Sequence, residues 1–396
     1  MDFKQIDVIF PAYINAPIGP TGTLRRLIAN KEYLRSRGYE LNVFTADFLK
    51  GQNVSAPVDF SAGLNTRSKQ KELIKKSRVL SSLFQWRAAR NAKRLVKKYL
   101  EQNRTPSVLV FHEQSCCYYY LRLARNNTKT VLFHHSNGVF GEMLLKSYPK
   151  LNGSFFLKDS YRRYKYVINK VNSNVFISYE GRNNFIKANP NIDARNIYVF
   201  HNGIDNKEII KGDLIYGCKY NLCTTGTVSA RKGQYIIIEA LNKIDIEKRK
   251  NIHVSILGNG QDRQMLEEKA LSYGLAENVH FYGFVPNSEI HEKLCKHNIY
   301  ILMSNNEGLP ISIIEAMRAG LGIISTRVSG IPEEVDDRNG ILIDPDIEQL
   351  SEVLNHLDDY DWNLLGQASR KRFENEFTFE QMMNAYCNMV DKTIVE

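Results

Sequence analysis

The chain has 396 residues, 43% hydrophobic and 24% charged, which provides for a large core and excludes disordered, collagenous and low-complexity classes. At roughly 150 residues per domain the working number is two domains. No run of about 18 apolar residues occurs, and the N-terminus carries only the short apolar run Ile6 to Phe10, so neither a membrane span nor a signal peptide is expected. Cys116, Cys117, Cys218, Cys223, Cys295 and Cys387 form no CxxC or CxxH pattern, which argues against a zinc site or disulfide framework and points to a reducing, cytoplasmic setting.

The net charge of +10 is unevenly divided. Residues 1–205 hold 33 Lys and Arg against 14 Asp and Glu, whereas residues 206–396 hold 20 against 29. In the first half, candidate strands are Ile6 to Phe10, Leu41 to Thr45, Val108 to Phe111, Val131 to Phe133, Val175 to Ile177 and Ile197 to Phe200. After the first of them, Gly19 to Arg25 reads as a glycine-rich loop leading into a helix, where Gly22 and Thr23 bring backbone amides close to phosphate or sugar oxygens.

Residues 67–104 carry 13 basic side chains, among them Arg67, Lys69, Lys71, Lys93, Arg94, Lys97 and Lys98, against only Glu72 and Glu101. Leu73, Leu80, Leu83, Phe84, Leu95 and Tyr99 recur there at near-helical spacing beside Trp86, the pattern of basic amphipathic helices. Three readings are open: a solvated face, contact with an anionic membrane or lipid-linked substrate, and a nucleic-acid groove. No nucleic-acid-binding motif accompanies the stretch, so nucleic acid is not among the expected partners.

The divide between domains falls near His201 to Asp205, a turn-forming cluster followed by Lys211 to Gly217. Beyond it, candidate strands are Leu222 to Thr225, His253 to Leu257, Val279 to Tyr282, Ile299 to Met303, Gly322 to Ser325 and Ile341 to Ile343. Helices are expected to start near Gly233, Asp262, Asn287, Ser312, Pro332 and Glu348, with a last one over Phe379 to Ile394. This alternation predicts an α/β chain of two doubly wound units: 1–205, 206–375 and a terminal helical segment 376–396 packing back on the first.

Chemistry is then expected in loops after strands. Asn305 to Met317 follows the strand Ile299 to Met303 and places Glu307 in a loop and Glu315 about a turn into the next helix. Two carboxylates eight positions apart face one ligand at different heights, beside the amides of Leu309, Ile311 and Ser312 at a helix N-terminus suited to an anion. Carboxylates beside an anion site need hydroxyls to pair with, as sugars and ribose supply. Thr225 to Gly233, with Arg231 and Lys232, ends the second unit's first strand, where fixed cations favour a departing pyrophosphate. Phe133 to Gly138 adds His134 and His135 in the first unit. Asp344-Pro345-Asp346 reads as a turn rather than a metal motif.

The run Glu307 to Gly320, continued through Gly322 to Thr326, Gly330 to Val335 and Asn339-Gly340, resembles the Glu-x7-Glu pattern of retaining GT-B glycosyltransferases of family 4. The resemblance implies the GT-B fold, two Rossmann-like domains facing across a cleft: an acceptor-binding 1–205 and a nucleotide-sugar-binding 206–375. It implies that Glu307 contacts donor-sugar hydroxyls, Glu315 the ribose, and His134, ranked above His135, the donor sugar. Gly22, Thr23, Gly226, Thr227, Gly308, Leu309, Pro310 and Ile311 are implied to surround the donor, with Val285 contacting the base. The family usually carries an Arg where this chain has Thr227; Lys232 is kept, and Arg231 is read as the substitute.

The implied activity is metal-independent, cofactor-free transfer of a sugar, with retention, from a UDP- or GDP-sugar to a saccharide acceptor. The leaving phosphate assists the incoming hydroxyl. The implied setting is surface polysaccharide synthesis at the inner face of the cell membrane, with Lys93, Arg94, Lys97 and Lys98 facing anionic lipid or a lipid-linked acceptor. The alternatives are a catalytically inert partner protein of the same fold and a nucleotide-sugar epimerase.

Overall fold

The computed structural model describes residues 3–14, 19–51, 73–135, 139–210 and 218–395, without the side chains of 19–21, 143 and 147. Arg67, Lys69, Lys71, Ser136 to Gly138 and Lys211 to Gly217 lie outside the described residues. Two compact units emerge, Met1–Phe200 with Met383–Glu396, and His201–Met382. The divides read from sequence after 205 and 375 fall a few residues from these.

The first unit holds a parallel sheet of β1 (Lys4–Ile9), β2 (Tyr39–Phe44), β3 (Val108–Phe111), β4 (Lys129–His134), β5 (Ser173–Phe176) and β6 (Ile197–Val199), in the order β2-β1-β3-β4-β5-β6. The second holds β7 (Tyr220–Thr225), β8 (Ile252–Leu257), β9 (Val279–Gly283), β10 (Ile299–Leu302), β11 (Gly322–Thr326) and β12 (Gly340–Ile343), in the order β12-β11-β10-β7-β8-β9. Central strands such as Val108–Phe111 and Ile299–Leu302 are buried at every residue, as continuous apolar runs covered on both faces require. Their register is parallel throughout, with Tyr220 opposite Ile252 and Thr225 opposite Leu257.

Each sheet reverses its direction of growth once. From β7 the chain builds β8 and β9 on one side, then crosses to β10, β11 and β12 on the other, so loops leaving the neighbours β7 and β10 part and open a crevice at their carboxyl ends. In the first sheet the same reversal separates β1 from β3.

Two glycines let this crevice form. Gly233 has φ +71°, and a Cβ there would stand 1.9 Å from the Met303 carbonyl oxygen, so only glycine lets the loop after β7 lie against the end of β10. A Cβ on Gly258 would stand 1.8 Å from the Gly226 oxygen, which holds the loops after β7 and β8 equally close.

Three local readings are corrected. The helix Gly19–Ala29 begins at Gly19, so Gly22 and Thr23 are helical rather than in a loop. The segment at Pro332 makes only a single 3-10 turn, Ile331–Glu333, because the Asn339 side chain accepts the Asp336 amide at 2.9 Å and turns the chain toward β12. The helix Trp362–Glu376, preceded by no strand, was absent from the sequence reading.

Gly233→Ala is expected to cost about 3 kcal/mol or more, because it adds left-handed strain to a backbone overlap. Urea unfolding checks this, and an unchanged midpoint would contradict the close packing of the two loops.

Candidate functional site

In the second unit the crevice between β7 and β10 is closed by an ion cluster. Glu307, in the loop after β10, accepts from Lys232 Nζ and Arg231 Nη1, each 2.8 Å from its Oε1. Ser304 Oγ donates to the same oxygen at 2.8 Å. The Glu307 and Lys232 side chains are only 10% and 11% exposed, while Arg231 is 49% exposed. Burial pushes the Glu307 carboxyl up, but Lys232, Arg231 and its hydrogen bonds outweigh this and hold it below its ordinary value. Two cations against one carboxylate leave a positive surplus, with Lys232 nearly buried and Arg231 open to solvent.

Local sequence explains the convergence. Ala230–Lys232 forms a 3-10 turn that ends at left-handed Gly233, before the helix Gln234–Lys243. The Lys232 stem runs along the backbone of Gly226, whose Cβ position is 3.6 Å from Lys232 Cε. Arg231 Nη1 also donates to the Asn306 carbonyl at 3.0 Å, and its own carbonyl accepts the Asn305 amide at 3.0 Å, tying the two loops together. Thr227 is exposed, its carbonyl accepts from Gln234 and Ser229, and the second cation on Glu307 is that of Arg231.

The helix Ile311–Arg318 starts after Pro310, which offers no capping side chain. The amides of Ile311 and Ser312 therefore lack a helical partner. Gly308 accepts the Gly330 amide through its carbonyl, and Leu309 is buried beneath the loop. Glu315 is half-buried on the same helix. Val285, also half-buried, packs against the apolar cluster around Leu309 and Ile313. Arg263 donates to the Phe281 carbonyl, which joins the segment after β8 to β9. Asp346 caps the helix Ile347–Asn355 by accepting the Gln349 amide. No group of three or more His, Cys, Asp or Glu among the described residues could hold a metal ion.

Two neighbours of Glu307 were missed by sequence reasoning, and a single sequence carries no signal for them. One is Ser304. The other is Glu334, wholly buried, with neither carboxyl oxygen partnered among the described residues. Burial first, then the nearby Glu307 and Glu333, push its carboxyl well above the ordinary range, against a smaller pull from Arg372 and Lys232.

In the first unit Gly22 lies at the end of the opening turn of its helix, and Thr23 is buried. His134 ends β4 with its ring stacked on Phe176, 4.4 Å between centroids, and its Nε2 2.9 Å from Asn174 Oδ1. Burial lowers it to about 4 and His135 to about 3, so both are neutral at physiological pH. His135 instead meets His112, Nε2 to Nδ1 2.8 Å. Both histidines are half-buried and line one cavity, His134 against Phe176 and Asn174 and His135 against His112.

The basic stretch forms the helix Arg78–Leu100. Its second half buries Leu95 and Tyr99, whereas its first half leaves Leu80, Leu83, Phe84 and Trp86 40–53% exposed. Leu83, Trp86, Arg87, Arg90 and Arg94 share one hollow, with the Arg90 guanidinium 5.4 Å from the Trp86 ring centroid. Of the four cations singled out in sequence, Lys93, Arg94 and Lys97 are exposed. Lys98 is tied down by a 2.7 Å bond to the Phe48 carbonyl. No helix among the described residues is long and apolar enough to cross a membrane.

Two doubly wound parallel sheets define a GT-B architecture, shared with the Anabaena protein HepE in complex with UDP: TM-score 0.67, 15% identity, 98% of this chain and 100% of that one. Residues 205–373 match the family described as Glycosyl transferases group 1, and residues 21–208 that described as Glycosyltransferase Family 4. Together these matches support a GT-B glycosyltransferase of family 4.

Among curated relatives, the GDP-mannose-dependent monoacylated alpha-(1-6)-phosphatidylinositol monomannoside mannosyltransferase of Corynebacterium glutamicum is 28% identical over 170 residues, 40% of this chain and 44% of that protein. The O-antigen chain mannosyltransferase B of Escherichia coli is 27% identical over 169 residues, 41% and 44% of the two chains. The chain thus spans less than half the length of these relatives.

Glu334→Gln keeps the shape of the buried carboxyl without its titration. Because the folded-state pKa is raised, the folded chain holds a proton that the unfolded chain releases above the ordinary 4.5, so this residue's contribution to stability is lost as pH climbs from there. The variant is expected to match the parent near that pH and to gain on it toward about pH 7.5; parallel pH profiles in urea unfolding would exclude a protonated Glu334.

Proposed function

We propose that this chain is a metal-independent retaining glycosyltransferase that moves a sugar from a UDP- or GDP-sugar to a saccharide acceptor, lipid-linked, in surface polysaccharide synthesis. The observation that carries the reading is the convergence of Arg231 and Lys232 on buried Glu307 at the carboxyl ends of β7 and β10. A diphosphate arriving there meets two cations already held in place and the amides of Ile311 and Ser312. Its charge grows as the sugar–phosphate bond breaks, so pre-placed cations favour the transition state more than the ground state. Removing the diphosphate's partners one at a time should therefore act on turnover as well as on binding.

Glu307, held by the same cations, presents its carboxylate to the donor-sugar hydroxyls, and Glu315 takes the ribose. Gly226, Thr227, Gly308, Leu309 and Pro310 supply the close backbone around the donor, and Val285 the contact to the base. In the first unit Gly22, Thr23 and the His134–His135 pair serve the sugar. The acceptor oxygen attacks the anomeric carbon on the face from which the phosphate leaves, and the acceptor's proton passes to the leaving phosphate oxygen, so no protein nucleophile is consumed.

We further propose that the chain works at the inner face of the cell membrane, on an anionic surface met by the helix Arg78–Leu100. Exposed Leu83, Phe84 and Trp86 beside Arg87, Arg90 and Arg94 favour the first half of that helix as the contact, with Lys93 and Lys97 adding long-range attraction.

Binding and slow hydrolysis of one nucleotide sugar from a UDP- and GDP-sugar panel are expected, with kcat/KM reduced about 100-fold or more in Lys232→Ala and in Glu307→Ala. Absence of binding to every donor would favour an inert partner, and an isomerised sugar nucleotide an epimerase. For the surface, Leu83→Glu with Trp86→Glu is expected to abolish binding to phosphatidylglycerol vesicles at low salt, and charge reversal at Lys93, Arg94 and Lys97 to weaken it. Unaltered vesicle sedimentation in both would exclude this face.

A further inference from the structure

In the first unit a cavity of 460 Å³ opens at the carboxyl ends of β3 and β4. This lies within the ~300–1,000 Å³ of small-molecule sites. Its wall includes aromatic surface from Phe133, Phe140, Phe156 and Tyr164, with Phe140 stacked on Tyr164 at 4.3 Å and 14°. Polar groups that carry no charge interrupt this surface: the amides of Gln85 and Gln114, the Ser160 hydroxyl and the neutral imidazoles of His112 and His135.

The charged groups of the wall are already engaged. The helix Gln114–Leu123 begins at the cavity, and two of its opening amides are occupied: the Glu113 carboxylate accepts Ser115 N–H at 2.8 Å and Cys116 N–H at 3.1 Å. Arg163, the cation of the lining, is paired with Asp159 at 2.5 Å and donates to the Tyr119 hydroxyl at 3.0 Å. Burial pushes the Glu113 carboxyl above its ordinary value, against the pull of its bonds to Ser115 and Cys116, and an anion entering here meets this carboxyl and a guanidinium that is already paired.

A neutral ring bearing several hydroxyls meets the opposite conditions. Its C–H face gains dispersion contact with the aromatic rings. Its hydroxyls both donate and accept, so they satisfy glutamine amides in either orientation and a neutral imidazole in either tautomer.

We propose that this cavity binds a neutral hexopyranose unit and that Glu113 is the specificity residue that excludes acidic sugars. Naming that unit the acceptor's rests on the glycosyl-transfer reading; the binding itself does not.

The test uses the full chain without donor, with saturation-transfer NMR and titration of methyl glucoside, galactoside, mannoside and N-acetylglucosaminide, and of methyl glucuronoside. At least one neutral glycoside is expected to bind, with the glucuronoside about tenfold weaker or more. Glu113→Gln is expected to close most of that gap. Phe156→Ala, at a half-buried ring that leaves the helix cap intact, is expected to weaken neutral binding about tenfold with the thermal midpoint unchanged. Failure of every neutral glycoside, equal binding of the glucuronoside by the unaltered chain, or full binding by Phe156→Ala would overturn the inference.

Two further arms separate it from the donor reading. Neutral-glycoside binding that survives Lys232→Ala supports a site belonging to the first unit, and binding that requires nucleotide and is lost in that variant places the sugar with the donor and overturns it. If no nucleotide sugar binds while a neutral glycoside does, the transfer reading fails and this cavity stands.

Discussion

The second unit is organised around one expensive requirement: a nearly buried carboxylate, Glu307, must be paired. The partners come from a different loop, so pairing holds the ends of β7 and β10 in a single arrangement. Gly233 serves the same requirement, since it lets the loop that carries Lys232 lie backbone to backbone against the end of β10. The cluster retains surplus positive charge that Glu307 does not neutralise, which distinguishes it from a closed structural ion pair.

Beside this cluster stands a carboxyl of the opposite kind. Glu334 has no partner among the described residues, and low dielectric with two neighbouring carboxylates drives it toward the neutral form. Two glutamates within one small volume are thus separated in character by their surroundings: one is charged because cations face it, the other is pushed to hold its proton because none is bonded to it. Residue type alone does not distinguish them.

The first unit contrasts in chemistry. Its cavity combines aromatic rings with neutral imidazoles, and Glu113 holds two amides of the helix that begins there. Part of its basic excess lies on a helix whose apolar residues face outward over the first turns and inward over the last. Sequence periodicity over Leu80, Leu83, Phe84, Leu95 and Tyr99 reads as one apolar stripe, because a helical repeat shows that residues share a face without showing whether protein covers it.

All the strands named from apolar runs recur in the structure within a few residues, because a buried parallel strand needs a continuous apolar run bounded by turn residues and little else meets that description. The loops after β7 and β10 were legible as places of chemistry for the same reason, since topology sends them to the crevice. The start of the first helix at Gly19, the single turn at Pro332 and the partners of His134 and His135 were not legible. Each depends on what surrounds the segment, and for His134 the deciding neighbours, Asn174 and Phe176, lie some forty residues away in sequence.

What the sequence determined alone was the succession of elements, the division of charge and the residue types available at strand ends, all properties of local pattern. The tertiary structure decided which of those residues meet. Arg231 and Lys232 converge on a carboxylate 76 and 75 residues further along, Glu334 has no partner among the described residues and His135 meets His112, because electrostatic and packing energies depend on distances in space that chain order does not encode.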